Sequence, residues 1–200
     1  MKRNFFIFFT NILLFFLISN DTFANSSDPK KFIQEIVDEV KKVLIDTNSS
    51  EYKANKLTEI AKETVDIRGI GLYTLGPYRK KLNETQMLEY SKLFELYFLK
   101  TFISRLTTYS EPKINVISAE VKNDKYTIVS SLLLATDKKP EVKINWRVYT
   151  KNPENPLIRD VIIEGLSLAR TQKEEFASII ETNDGDIKAL FAKLKEFINK

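Results

Sequence analysis

The chain has no histidine and no cysteine. That removes Ser-His and Cys-His nucleophilic catalysis and His/Cys zinc sites. Carboxylate and lysine chemistry remain. The acid in the most suggestive setting is Glu164, which ends the apolar run Asp160 to Ile163 and is followed by Gly165. No second acid stands at a spacing suited to paired acid–base work, so Glu164 reads as a structural acid at a strand exit. "GIGLYTLG" places Gly69, Gly71 and Gly76. The third glycine comes too late for the phosphate-cradling pattern, and no strand precedes it, so the stretch reads as a turn-rich connector. The run Arg79-Lys80-Lys81 reads first as a solvated face and second as a docking or head-group patch.

The N-terminus sets the compartment. Met1-Lys2-Arg3-Asn4 is a short basic head, and the mostly apolar run Phe5 to Ile18 follows it. A spanning helix needs about 20 apolar residues, and this run is shorter. Polar residues and the small-residue site Thr22-Phe23-Ala24 come next. The pattern predicts a cleaved signal peptide over residues 1–24, with an uncleaved membrane anchor as the alternative. Residues 25–200 then form one soluble domain with net charge +3, down from +4 because Lys2, Arg3 and Asp21 are lost. So small a charge gives no case for nucleic acid. Without cysteine, packing alone must hold an exported fold.

The elements that position these residues run helices, strands, helices. Asp28 and Pro29 open a helix as N-cap and first helical residue, with Phe32, Ile33, Ile36, Val37, Val40, Val43 and Leu44 at helical spacing. A second helix spans about 50–66, and short helical turns fill the stretch to Leu82. Asn83 and Gln86 predict a capping box for a helix from Glu84 to about Thr108. That helix is apolar nearly all round, with Leu93, Phe94, Leu96, Tyr97, Phe98, Leu99 and Phe102 leaving only a narrow polar stripe. Such a helix is buried, or it faces two apolar partners.

Four strands are expected, at 113–121, 125–135, 141–150 and 157–163, joined by the turn-like "VKNDKY", "TDKKPE" and "KNPENP". The third alternates: Val142, Ile144, Trp146 and Val148 on one face, Glu141, Lys143, Asn145 and Arg147 on the other. On the fourth, Val161 and Ile163 share a face. Two helices close the chain, at about 168–182 and 186–199. The fold class is α+β, a twisted four-stranded antiparallel sheet with helices packed on one face. Gly165 permits a sharp exit from the sheet, with Ser167 or Thr171 capping the helix that returns across it.

"RDVIIEGLSLARTQKEEFASII" resembles the C-terminal signature of the MlaC family, also called toluene-tolerance proteins: Asp160, Glu164-Gly165 and Ser167-Leu168, then Gln172, Glu175 and Phe176. "TLGPYRKKLNETQMLEYSKLFELYF" matches through Leu75, Gly76, Tyr78 and Gln86. It departs where many members carry Tyr-Trp-Arg and this chain has Tyr78-Arg79-Lys80. "DPKKFIQEIVDEV", "INWRVY" and the signal peptide also fit, so the resemblance spans the mature chain. It implies a periplasmic carrier that holds a phospholipid by its tails in an apolar pocket between sheet and helices. It implies shuttling between an outer-membrane lipoprotein complex and an inner-membrane ABC transporter with an MCE-domain subunit. No cofactor is implied, and the carrier is expected to be a monomer. A related branch carries hopanoids, which leaves the lipid open.

On that resemblance, the expected lipid-binding residues are Tyr73, Leu75, Tyr78, Phe94, Tyr97, Phe98, Phe102, Val142, Ile144, Trp146, Val148, Val161 and Ile163. Ordinary core packing is the competing reading for each. Burying a methylene gains about 0.8 kcal/mol, so two acyl chains gain roughly 20 kcal/mol over water. Release into water is therefore prohibitively slow, and transfer requires docking. Weak head-group specificity is expected if the head stays in water. Two other classes stay open: a small cavity enzyme using a carboxylate, and an interaction protein with a filled core.

Overall fold

The computed structural model describes residues 28–109, 112–137 and 140–200. The expected signal peptide and its cleavage site lie outside these residues.

Each helix starts on a side chain that accepts from a free backbone N–H of its first turn. Asp28 caps α1 (Pro29–Ile45), Ser49 caps α2 (Ser50–Thr64) and Asp66 caps α3 (Ile67–Thr74). A 3-10 turn at Gly76–Lys80 follows α3, with Gly76 at φ 55°. The Asn83–Gln86 capping box is present at the start of α4 (Glu84–Leu106). Ser167 caps α5 (Leu168–Glu181), and Asp186 caps α6 (Ile187–Asn199). Among the described residues, no helix is long and apolar enough to cross a membrane.

The sheet is an antiparallel meander in the order β1 (Ile114–Asn123), β2 (Tyr126–Leu133), β3 (Val142–Tyr149), β4 (Leu157–Ile163), β5 (Leu166–Ser167). It therefore has five strands where the sequence pattern predicts four. The reason is local. Glu164 at φ 48° and Gly165 at φ 84° form a two-residue left-handed corner, the geometry that suits a tight hairpin. The chain folds back at once, pairing Ile163 with Leu166 and Ile162 with Ser167. A two-residue strand is too short to show a period.

The faces follow from the register. Val129, Trp146 and Val161 are cross-strand neighbours, as are Ser131, Ile144 and Ile163. This face joins the core through Val129 and Val148, both fully buried, and α1 packs on β1 and β2. Ile128 and Arg147 pair on the opposite face, as do Ser130, Asn145 and Ile162. That face is not bare. Val65 bridges Ile158 at the β4 edge, so α3 leaves from the edge and overhangs it. Helical residues thus meet both faces, a correction to the expected single helical layer.

The core is one contiguous apolar body uniting α1 to α6 with the Val129–Val148 face. Tyr90, 1% exposed, sits at its centre between Phe94, Phe176 and Phe191, at ring separations of 5.8, 6.5 and 6.3 Å. Its hydroxyl donates to the Gly71 carbonyl at 3.0 Å and lies 2.9 Å from the Thr74 hydroxyl. Two polar groups that burial would otherwise penalise are thereby satisfied.

Candidate functional site

A cleft of about 920 Å³ opens between the second sheet face and the overhanging helices. Its floor is Ile128 and Ser130 of β2, Asn145 and Arg147 of β3, and Ile162 of β4. Its roof is Ile70, Leu72 and Tyr73 of α3, with Ala169 of α5. Arg79 reaches it from the 3-10 turn, and Gly69, Glu120, Lys122, Asn123, Tyr126, Lys143 and Arg159 complete the lining. Apolar and cationic groups share one concavity, which is the surface an amphiphile needs.

Two acids stabilise its edge. Asp160, 3% exposed, accepts from the Ser167 hydroxyl at 2.6 Å and the Ala169 N–H at 3.0 Å. Arg147 lies 3.5 Å from the same carboxylate. A single buried acid therefore joins β3, β4, β5 and the first turn of α5, and so fixes the corner where strand becomes helix. Asp66 caps α3 and also receives Arg159 at 2.6 Å. The Arg159 guanidinium lies 3.6 Å from the Tyr149 ring centroid and donates to the Tyr126 hydroxyl at 3.0 Å. Glu164 accepts from the backbone N–H of Lys143, so its role is structural, as its position at the strand exit suggests. The Asn145 amide oxygen is buried and has no hydrogen-bond donor among the described residues.

A smaller cleft of about 260 Å³ lies between α4, α5 and α6, lined by Tyr97, Gln172, Phe176, Leu194 and Phe197 among others. Tyr97 donates to Gln172 at 2.6 Å. Burial, with Glu175 nearby, pushes the Tyr97 phenol pKa up. Among the described residues, no cluster of acids could hold a metal ion.

The expected lipid-binding residues divide between these environments. Tyr73 lines the larger cleft and Tyr97 the smaller. Leu75, Phe94, Ile144 and Val148 are buried. Tyr78, Phe98, Trp146 and Val161 are half-buried and pack on the core. Phe102 stacks on Phe98 at 6.0 Å. Trp146 donates to the Ser131 hydroxyl at 2.9 Å. Val142, Ile144, Trp146, Val148, Val161 and Ile163 occupy the sheet face turned away from the larger cleft. The cleft instead uses the alternate residues, Lys143, Asn145 and Arg147. Their alternation is visible in the sequence, but it reads as a solvent face because nothing local shows that α3 hangs over it.

The fold and the cleft define an α+β container: a twisted meander sheet with helices over both faces and an amphiphilic opening along one of them. The chain belongs to the MlaC protein family, whose profile matches residues 30–196. A phospholipid-binding protein from Ralstonia solanacearum, solved in complex with a phospholipid, has a similar fold. Its TM-score is 0.71 at 19% identity, covering 86% of this chain and 97% of that one. No curated protein sequence matches the chain.

Proposed function

We propose that this chain is a periplasmic phospholipid carrier, made with a signal peptide over 1–24 and working as the single domain 25–200. It takes lipid from one membrane complex and delivers it to another, an outer-membrane lipoprotein complex and an inner-membrane ABC transporter with an MCE-domain subunit. The observation that carries the reading is the 920 Å³ cleft with both apolar and cationic lining. Sites for small molecules run from about 300 to 1,000 Å³, so this one accommodates a large amphiphile. Family membership and the lipid-bound relative of the same fold support it. The tails lie against Ile70, Leu72, Tyr73, Ile128 and Ile162.

A second placement of the tails is favoured by the ring row along α4, where Phe94, Phe98 and Phe102 follow at 6.2 and 6.0 Å. There the chains would part the layer between α4 and its neighbours, and Tyr97, Leu75 and Tyr78 would border them.

Transfer of labelled phospholipid between donor and acceptor vesicles, through a dialysis barrier that only the protein crosses, tests the carrier reading. Protein-dependent transfer is expected. Absence of transfer by protein shown to be folded contradicts it.

A further inference from the structure

We infer that the larger cleft selects phospholipids with a net negative head group, through Arg79 and Lys143. The inference rests on the carrier reading and narrows its cargo. Five cations line the cleft, Arg79, Lys122, Lys143, Arg147 and Arg159, against one acid, Glu120. Three of the five are engaged. Arg159 bonds Asp66 at 2.6 Å, Arg147 lies 3.5 Å from Asp160, and Lys122 holds Glu120 at 2.5 Å. The side chains of Arg79 and Lys143 have no acidic partner within 4.0 Å among the described residues; Glu164 bonds the Lys143 backbone rather than its ammonium. Two unspent cations, both solvent-exposed, therefore stand on the lining of the cleft, and charge-assisted bonds to a phosphate are the strong class of hydrogen bond.

Every phospholipid carries a phosphate, so the phosphate alone does not discriminate. A zwitterionic head brings its own ammonium beside a cleft lining that already holds surplus positive charge, and like charges repel. A head such as glycerol brings none. The apolar neighbours Ile70, Leu72, Ile128 and Ile162 in the same lining favour a lipid over a free phosphate ion. Weak head-group specificity, expected if the head stays in water, gives way here because the cations are in the cleft.

Lipid-free protein is loaded from vesicles of equal phosphatidylglycerol and phosphatidylethanolamine, and the bound lipids are counted by mass spectrometry. About tenfold enrichment of phosphatidylglycerol is expected, the effect of one good polar contact. In Arg79→Gln/Lys143→Gln the bound ratio returns toward that of the vesicles, and in Arg79→Lys/Lys143→Arg the enrichment persists. Wild-type protein that fills with both lipids at the vesicle ratio overturns the selection and leaves the carrier reading intact. Wild-type protein that takes up neither lipid overturns both. A Gln double variant that keeps the enrichment, or that carries no lipid at all, also overturns the selection. Inorganic phosphate at constant ionic strength should leave the ratio unchanged. If phosphate abolishes the preference where chloride does not, the cations serve a free anion and the inference fails.

Discussion

Asp160 accepts the hydroxyl of Ser167 at 2.6 Å while Ser167 itself caps α5, accepting from the Arg170 N–H at 3.1 Å. The acid of the strand thereby organises the start of the helix. Asp160→Ala leaves Ser167, Ala169 and Arg147 without their acceptor. Removing one member of a buried polar cluster costs several kcal/mol, less where the partner is partly solvated. Arg147 is 40% exposed, so a loss of about 2–4 kcal/mol is expected in urea unfolding. Asp160→Asn should lose about half as much, because the amide oxygen still accepts.

Charge placed on the two faces of the sheet should give opposite results. Val148 is fully buried, so Val148→Glu buries an unpaired carboxylate and should unfold or aggregate the protein. Ile128 lines the larger cleft, where water can solvate a new carboxylate once lipid is absent. Ile128→Glu should keep a native circular dichroism spectrum, melt modestly lower and lose bound lipid. Retention of lipid at wild-type occupancy by a folded Ile128→Glu would move the tails to the α4 ring row.

Gly71 is a close-approach glycine. A Cβ there would lie 2.8 Å from Cδ1 of Phe94, which is 2% exposed. Gly71→Ala should therefore destabilise by about 1–3 kcal/mol through overpacking. The pairing of Gly71→Ala with Phe94→Leu should recover part of that loss, measured as a coupling in a double-mutant cycle.

Burial pushes the Tyr90 phenol pKa up, opposed in part by its bond to Thr74. The neutral form is thus favoured in the folded state. Its contribution is complete below the unfolded tyrosine pKa of about 10 and falls as pH rises beyond that value. Tyr90→Phe should cost about 1 kcal/mol at neutral pH through its lost hydrogen bonds. The stability gap between wild type and Tyr90→Phe should narrow above pH 10, as followed by denaturant titration.

The helices were legible in the sequence because caps and apolar period agree: Asp28, Asn83–Gln86 and Ser167 all act as their positions predict. The four longer strands followed from alternation and turns. β5 was not legible, since two residues carry no period and its existence depends on Glu164 taking a left-handed conformation. The cleft was half legible. The polar alternates Lys143, Asn145 and Arg147 are plain, but their enclosure depends on Val65 bridging Ile158 from far away in the chain. The near-continuous apolar surface of α4 signalled burial among several partners, and the structure meets it with α2, α3 and α6.

Native mass spectrometry of the protein exported by bacteria and purified without detergent tests the central claim most directly. A phospholipid carrier gains roughly 20 kcal/mol from burying two acyl chains, so it should retain lipid through purification. The expected spectrum shows a complex of the chain cleaved after Ala24 with a single phospholipid, and collisional activation should release a lipid ion. A folded protein whose spectrum shows only the bare polypeptide, with no lipid in the organic extract, would contradict the claim.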